Sequence, residues 1–176
     1  MKQLDIFKLF FLCYLYYMEE KTKVTLYTDG ACSGNPGVGG YGAILVHVDV
    51  NGVKHEKEFS QGYKMTTNNQ MELLAVIVGL EALKKPCSVK VYSDSKYVVD
   101  AFNNKWIDGW ITKGWKTASK TPVKNVDLWM RLLNAKKNHD VEFIWVKGHA
   151  GHEYNERCDS LAVAAGKKEN LLPEVQ

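Results

Sequence analysis

The dipeptide Asn51-Gly52 stands between two β-favouring runs, residues 41–50 and 53–63, and it limits the fold more than any other feature of the chain. Asn-Gly between such runs is the strongest short hairpin signal available, so the two runs must fold back on each other. Upstream, VTLYT at 24–28 is a third β-rich run. It is closed by Asp29-Gly30, and the Gly/Asn/Pro cluster at 34–40 then reads as a loop. Three strands in succession with short connections predict an antiparallel unit.

From residue 69 the apolar spacing becomes helical and stays so to about 83, with Pro86 just beyond, as expected past a helix end. A short strand is predicted at 89–93 and a helix at about 95–103. A Trp/Lys/Gly-rich stretch follows to 121, then a helix at 125–137, a strand at 141–146 and a last helix at about 153–165. Strands four and five alternate with helices, and helical crossovers return a chain parallel to its starting strand. The prediction is an α/β fold with a five-stranded mixed sheet flanked by helices, strands 1–3 antiparallel and strands 4–5 parallel to strand 1. With 176 residues, 45% of them hydrophobic, the chain can bury one sizeable core and is short for two domains.

The remaining composition mainly excludes. A formal charge of +3 is compatible with a polyanionic partner and does not require one. Cys13, Cys32, Cys87 and Cys158 are scattered, without a Cys-x-x-Cys pair, which fits a reducing compartment and no structural zinc. Residues 9–18 (LFFLCYLYYM) form an apolar run half as long as a membrane-spanning helix requires. Residues 1–17 are expected to be an apolar extension outside the fold, with Met18, which stands just ahead of Glu19-Glu20-Lys21-Thr22 and the first strand, as the native start. Residues 18–170 are expected to form the one folded domain and 171–176 a C-terminal tail.

Four acids stand where acids are not the default. Asp29 ends the first strand and Asp94 follows the fourth. If those strands are parallel neighbours, both carboxylates emerge at the carboxyl edge of the sheet, where open α/β sheets bind ligands. An Asp-Gly turn and a helix N-cap are the alternatives for these two. On a helical wheel Glu72 lies beside Ala75, Val76 and Gly79, opposite Glu81, so it takes the buried face. Asp159 lies on one stripe with Asn155 and Val163. Clustered carboxylates repel one another; a divalent cation removes that problem, and an all-oxygen donor set selects Mg²⁺ or Mn²⁺ over zinc. Zinc at His149 and His152 is the rival, weakened by the lack of a further His or Cys at ligand spacing.

The segments TDGACSGNPGVGGYGAIL, TTNNQMELLAVIVGLEAL, YSDSKYV, GWKTASKTPVKNVDLW and WVKGHAGHEYNERCDSLA together resemble bacterial-type ribonuclease HI over about residues 23–166. The resemblance implies a ribonuclease H-like fold and an endonuclease that hydrolyses the RNA strand of RNA/DNA hybrids, leaving 5′-phosphate and 3′-hydroxyl ends. It implies Asp29, Glu72, Asp94 and Asp159 as ligands of two Mg²⁺ ions, with Mn²⁺ able to substitute, and His149 as a mobile catalytic histidine. Asn35, Asn68 and Asn69 match minor-groove contacts, Cys32 and Gly34 match backbone positions near RNA 2′-hydroxyls, and Thr67 and Asn125 match a pocket for a DNA-strand phosphate. Lys96 replaces the Gln of related bacterial sequences, which favours a phosphate contact over a base contact. Trp106, Lys113, Lys116 and Lys120 match a basic protrusion that tracks the nucleic acid. The expected partner is an RNA/DNA hybrid, with no obligate protein partner, no membrane, a monomeric state and a cytoplasmic location. Another nuclease of the same superfold, of resolvase or transposase type, and a catalytically inactive hybrid-binding module are the competing readings.

Overall fold

A computed structural model of the chain describes residues 21–175; the apolar run at 9–18 and the start placed at Met18 lie outside the described residues. The elements follow in the order β1 (Thr22–Ser33), β2 (Gly37–Val48), β3 (Lys54–Thr66), α1 (Asn68–Glu81), β4 (Cys87–Ser93), α2 (Lys96–Asn103), α3 (Trp106–Thr112), α4 (Val126–Lys136), β5 (Asp140–Trp145), α5 (Glu153–Gly166) and β6 (Leu172–Glu174). The strands form one sheet in the order β5-β4-β1-β2-β3-β6. β1, β2 and β3 pair antiparallel, while β4 is parallel to β1 and β5 is parallel to β4.

Two departures from the predicted sheet have local causes. The predicted loop at 34–40 shrinks to residues 34–36, because β1 and β2 stay paired as far as Cys32–Gly39 and Ser33–Val38. Gly37, Gly39 and Gly40 belong to a strand, and at Gly40 the reason is a neighbour rather than a turn: a Cβ there would lie 2.6 Å from the carbonyl oxygen of Ala162 on α5, as one on Gly42, further along the strand, would overlap that of Cys158. The sheet also has six strands where five are expected. Residues placed in the tail pair parallel to β3, Tyr63 beside Leu172 and Met65 beside Glu174, and so cover what would be an open edge.

The hairpin reverses around Asn51-Gly52, but through a longer connection than the dipeptide needs. The last pair is Val48–Lys54, and the Asp49 carboxylate accepts the backbone N–H groups of Asn51 at 2.8 Å and Val53 at 3.0 Å. A side chain that satisfies the turn's donors replaces part of the ladder.

The main core lies between the sheet and α1. Leu26, Val89 and Val91 meet Met71, Leu74, Ile77 and Leu80, and Trp129 and Leu132 of α4 close the layer from outside. α1 is buried on nearly every side, which is why its sequence reads as an almost continuous apolar run. Thr67 starts it with a capping box: its side chain accepts from the Gln70 N–H while the Gln70 side chain accepts from the Thr67 N–H. On the opposite face α5 lies across β1, β2 and β3, with its own Cys158, Ala162 and Ala165 buried and Ile44 of β2 buried in the sheet. α3 emerges from the stretch that shows no regular pattern in the sequence; Gly109 inside it breaks the signal, and Ile107 anchors it.

Candidate active site

Two parallel neighbours place the first pair of acids. Thr28 of β1 pairs with Ser93 of β4, so Asp29 and Asp94, the next residue of each chain, stand together at the carboxyl edge. Asp29 is only 8% exposed, and its Oδ1 accepts the Gly30 N–H at 2.7 Å. The Asp94 backbone carbonyl accepts the indole N–H of Trp145 at 3.0 Å, which ties this loop to the end of β5.

Glu72 reaches the same edge from α1 because β1 and the helix touch at Gly30. A Cβ there would lie 2.5 Å from the Glu72 backbone nitrogen, so only glycine lets the first turn of α1 sit against the strand beside Asp29. The Glu72 carboxylate is then held at both oxygens, by the Asn68 amide at 2.7 Å and the Ser95 hydroxyl at 2.5 Å. Ser95 also accepts the Val98 N–H as the N-cap of α2, so one hydroxyl joins the end of β4 to α1.

α5 brings the fourth acid. Asp159 is half-buried, and one turn earlier the buried Asn155 donates its amide to Asp94 Oδ2 at 3.3 Å. Neither Ser95 nor Asn155 was singled out in the sequence as a site residue. Asn155 could have been found by its spacing of four from Asp159, which puts both on one helix face.

The electrostatics reflect this crowding. Burial, then Asp94, then Asp159 and Glu72 push the Asp29 carboxyl up to about 8 against the pull of the Gly30 N–H. Burial and then Asp94 raise Glu72 to about 7, opposed by the Ser95 and Asn68 bonds. Four acids, from β1, α1, the turn after β4 and α5, thus share one electrostatic field, and no cation of the described residues figures among the influences on Asp29 or Glu72.

Of the remaining predicted residues, several are drawn together and others are not. Asn35 Oδ1 accepts the Asn68 N–H at 3.0 Å, which joins the β1–β2 turn to the start of α1, next to Thr67 and Asn69. Gly34 and Asn35 both have positive φ, and Cys32 is half-buried with its thiol near the Thr66 carbonyl at 3.4 Å. His149 is exposed with a left-handed backbone, one residue beyond Gly148, whose Cα lies against the Asp94 carboxylate. Asn125 caps α4 from a left-handed conformation and donates to the Tyr97 hydroxyl at 3.3 Å. Trp106 at the head of α3 is 43% exposed, and Lys113, Lys116 and Lys120 are all exposed beyond it. The Lys96 ammonium lies 5.0 Å from the Trp145 ring centre.

The donor set suits a hard cation. Among the described residues no three His, Cys, Asp or Glu side chains close tightly enough to form a cage for a metal ion. An open group of carboxylates is nevertheless what Mg²⁺ uses, since it keeps several waters and shares its coordination with substrate phosphates. The buried Asn155 Oδ1, which has no hydrogen-bond partner, supplies an acceptor beside these acids. The repulsion that raises Asp29 and Glu72 is the term that a dication relieves.

An antiparallel trio of strands continued by parallel strands, with acids from β1, α1, β4 and α5 at the carboxyl edge, defines the class of ribonuclease H-like α/β proteins. The comparisons narrow that class. The family profile described as RNase H matches residues 21–167. The ribonuclease H of Lachnoclostridium phytofermentans is 66% identical over 153 residues, 86% of this chain and 97% of that protein. The ribonuclease H of Desulforamulus reducens is 54% identical over 88% of this chain and 94% of its own length. Among solved structures, LC9-RNase H1, a type 1 RNase H with the type 2 active-site motif, superposes with a TM-score of 0.75 at 33% identity, covering 83% of this chain and 72% of that one. This chain belongs to the ribonuclease H family.

Proposed function

We propose that the protein is an endonuclease that hydrolyses the RNA strand of RNA/DNA hybrids, working in the cytoplasm and leaving 5′-phosphate and 3′-hydroxyl ends. The observation that carries this reading is the convergence of Asp29, Glu72, Asp94 and Asp159 at one sheet edge within a chain of this family. Two Mg²⁺ ions, or Mn²⁺ in their place, would be held by these four carboxylates. When bound, such ions supply activation of the attacking water and charge stabilisation of the departing 3′-oxygen.

The residues around the acids do the rest. Asn68 and Ser95 orient Glu72, and Asn155 orients Asp94, so the carboxylates are set before substrate arrives. His149, exposed and next to Asp94 in space through Gly148, is placed to move a proton or ease product release. Asn35, Asn68 and Asn69, with the backbone at Cys32 and Gly34, face the hybrid's minor groove, where the 2′-hydroxyls mark the RNA strand. Thr67 and Asn125 hold a DNA-strand phosphate, Lys96 takes a phosphate near the site, and Trp106, Lys113, Lys116 and Lys120 follow the backbone. The three described cysteines are free thiols, in keeping with a reducing compartment, and no described helix is long and apolar enough to cross a membrane.

The test is cleavage of labelled duplexes with Mg²⁺. A DNA duplex carrying one run of ribonucleotides is cut within the run and an all-DNA duplex is left whole. Comparable cleavage of the all-DNA duplex overturns the substrate assignment.

A further inference from the structure

We infer that Tyr154 and Arg157 form a clamp that sets where α5 presents Asn155 and Asp159, which makes both of them positioning residues for the carboxylate site; this rests on the proposed role of Asp159. The helix needs such a device. It follows a loop in which His149 and Gly151 have positive φ, and its N-cap, His152, makes no side-chain capping bond. Its first turn is tied to that loop by a single exposed bond, from the Gly151 N–H to Glu156 Oε1 at 3.1 Å, which leaves its seat on the sheet to be set by other contacts.

The restraint comes from the sheet. The Tyr154 ring stacks on Tyr27, with centres 4.4 Å apart and planes 10° apart, and Tyr27 stacks in turn on Tyr92 at 5.2 Å. Tyr27 precedes Asp29 by two residues on β1, so both point to the face that α5 covers. Tyr92 precedes Asp94 by two. The rings therefore form a row that leads to both acids, and Tyr154 closes it from the helix.

Charge completes the clamp from β3. Arg157 reaches Glu58 at 2.6 Å and Glu56 at 2.9 Å, and its guanidinium lies 5.0 Å from the Tyr154 ring centre. Glu56 also accepts from the Tyr154 hydroxyl and from Lys54 at 2.9 Å. Three donors on one carboxylate hold Glu56 down at about 2. Arg157 lies between Asn155 and Asp159 in the sequence of the helix, so the turn that carries the site residues is the turn that is clamped.

The purpose of this arrangement is geometric. Exposed ion pairs add little to stability, and Arg157 remains 34% exposed. A planar guanidinium held by two carboxylates and laid on a ring nevertheless has few orientations left, and site ligands tolerate displacements of only about 0.5 Å. The protein contains its own comparison: Arg131 makes an equally well formed pair with Glu81, two bonds of 2.8 Å, but it joins α4 to the far end of α1, away from the acids.

The experiment compares Arg157→Gln, Tyr154→Phe, Arg131→Gln and Asp159→Asn with the unaltered protein. Mn²⁺ binding is measured by calorimetry without nucleic acid, and kcat and KM are measured on a hybrid with Mg²⁺. Arg157→Gln is expected to weaken Mn²⁺ binding and lower kcat by about tenfold each, with KM for the hybrid unchanged within about twofold. Tyr154→Phe, which keeps the ring stack and loses the bond to Glu56, should lie between, and Arg131→Gln should match the unaltered protein. If Arg157→Gln does not fold, Tyr154→Phe carries the same comparison. Equal Mn²⁺ affinity for the Arg157 and Arg131 variants, with Asp159→Asn weakened, overturns the clamp and leaves the proposed function standing. An Asp159→Asn protein that binds Mn²⁺ normally overturns the clamp and the metal role of Asp159 together.

Discussion

Replacing Asp29 by Asn should abolish cleavage and at the same time stabilise the metal-free protein. Asp29 is almost fully buried among three other acids, and its carboxyl is raised from 3.8 to about 8. The folded state therefore holds a proton that the unfolded chain releases, so the stability associated with this group is fully present below pH 4 and is lost as pH rises from about 4 towards 8. At 1.36 kcal/mol for each tenfold change, the burden at pH 7 amounts to about 4 kcal/mol as an upper figure. Asn has nearly the same shape, keeps an oxygen for the Gly30 N–H and turns a donor towards the neighbouring carboxylates. We expect the variant to be about 2–4 kcal/mol more stable at pH 7 without metal, with the difference vanishing near pH 4. Urea unfolding at pH 4.5, 6 and 8 in the presence of a chelator measures this directly. Adding Mg²⁺ should then stabilise the unaltered protein more than the variant, since a ligand that binds only the folded state raises stability with concentration. A variant no more stable than the parent at pH 8, or a difference that does not grow with pH, refutes the account of a strained carboxylate cluster.

Asp94→Asn should eliminate Mg²⁺-dependent cleavage while leaving the fold intact by circular dichroism; near-normal activity would remove Asp94 from the site. Replacing Lys113, Lys116 and Lys120 together with Ala should lower the dependence of log binding constant on log salt by about three units, measured on a hybrid by fluorescence anisotropy. An unchanged slope makes that stretch a solvated face. Gly42→Ala should lift α5 from the sheet, since its Cβ meets the Cys158 carbonyl, at a cost of about 2 kcal/mol or more in urea unfolding and with reduced cleavage. A neutral outcome would mean that α5 does not need that close approach to place Asp159.

What the sequence determined by itself is what neighbours in the chain encode. The reversal at Asn51-Gly52, the apolar run of α1 and the Pro86 stop beyond it act through backbone preferences within a few residues, so the order and type of nearly all elements could be read directly. The four acids were legible for a related reason: Asp29 and Asp94 each follow directly on a β-rich run, although β1 itself continues past Asp29 to Ser33, and Glu72 and Asp159 lie on helical stripes whose periodicity shows their direction. What only the tertiary structure decided involves partners far apart in sequence. The pairing of residues 31–33 with 38–40, the glycine seat at Gly42 and the sixth strand follow from α5 and the C-terminal residues closing over the sheet. The raised carboxyls of Asp29 and Glu72 arise from burial and from charges contributed by other elements. The bonds from Ser95 to Glu72, from Asn155 to Asp94 and from Arg157 to Glu56 and Glu58 span 23, 61 and about 100 positions. Local preference cannot anticipate such contacts, because hydrogen bonds and ion pairs depend on distances of a few ångströms that exist only once the layers have packed.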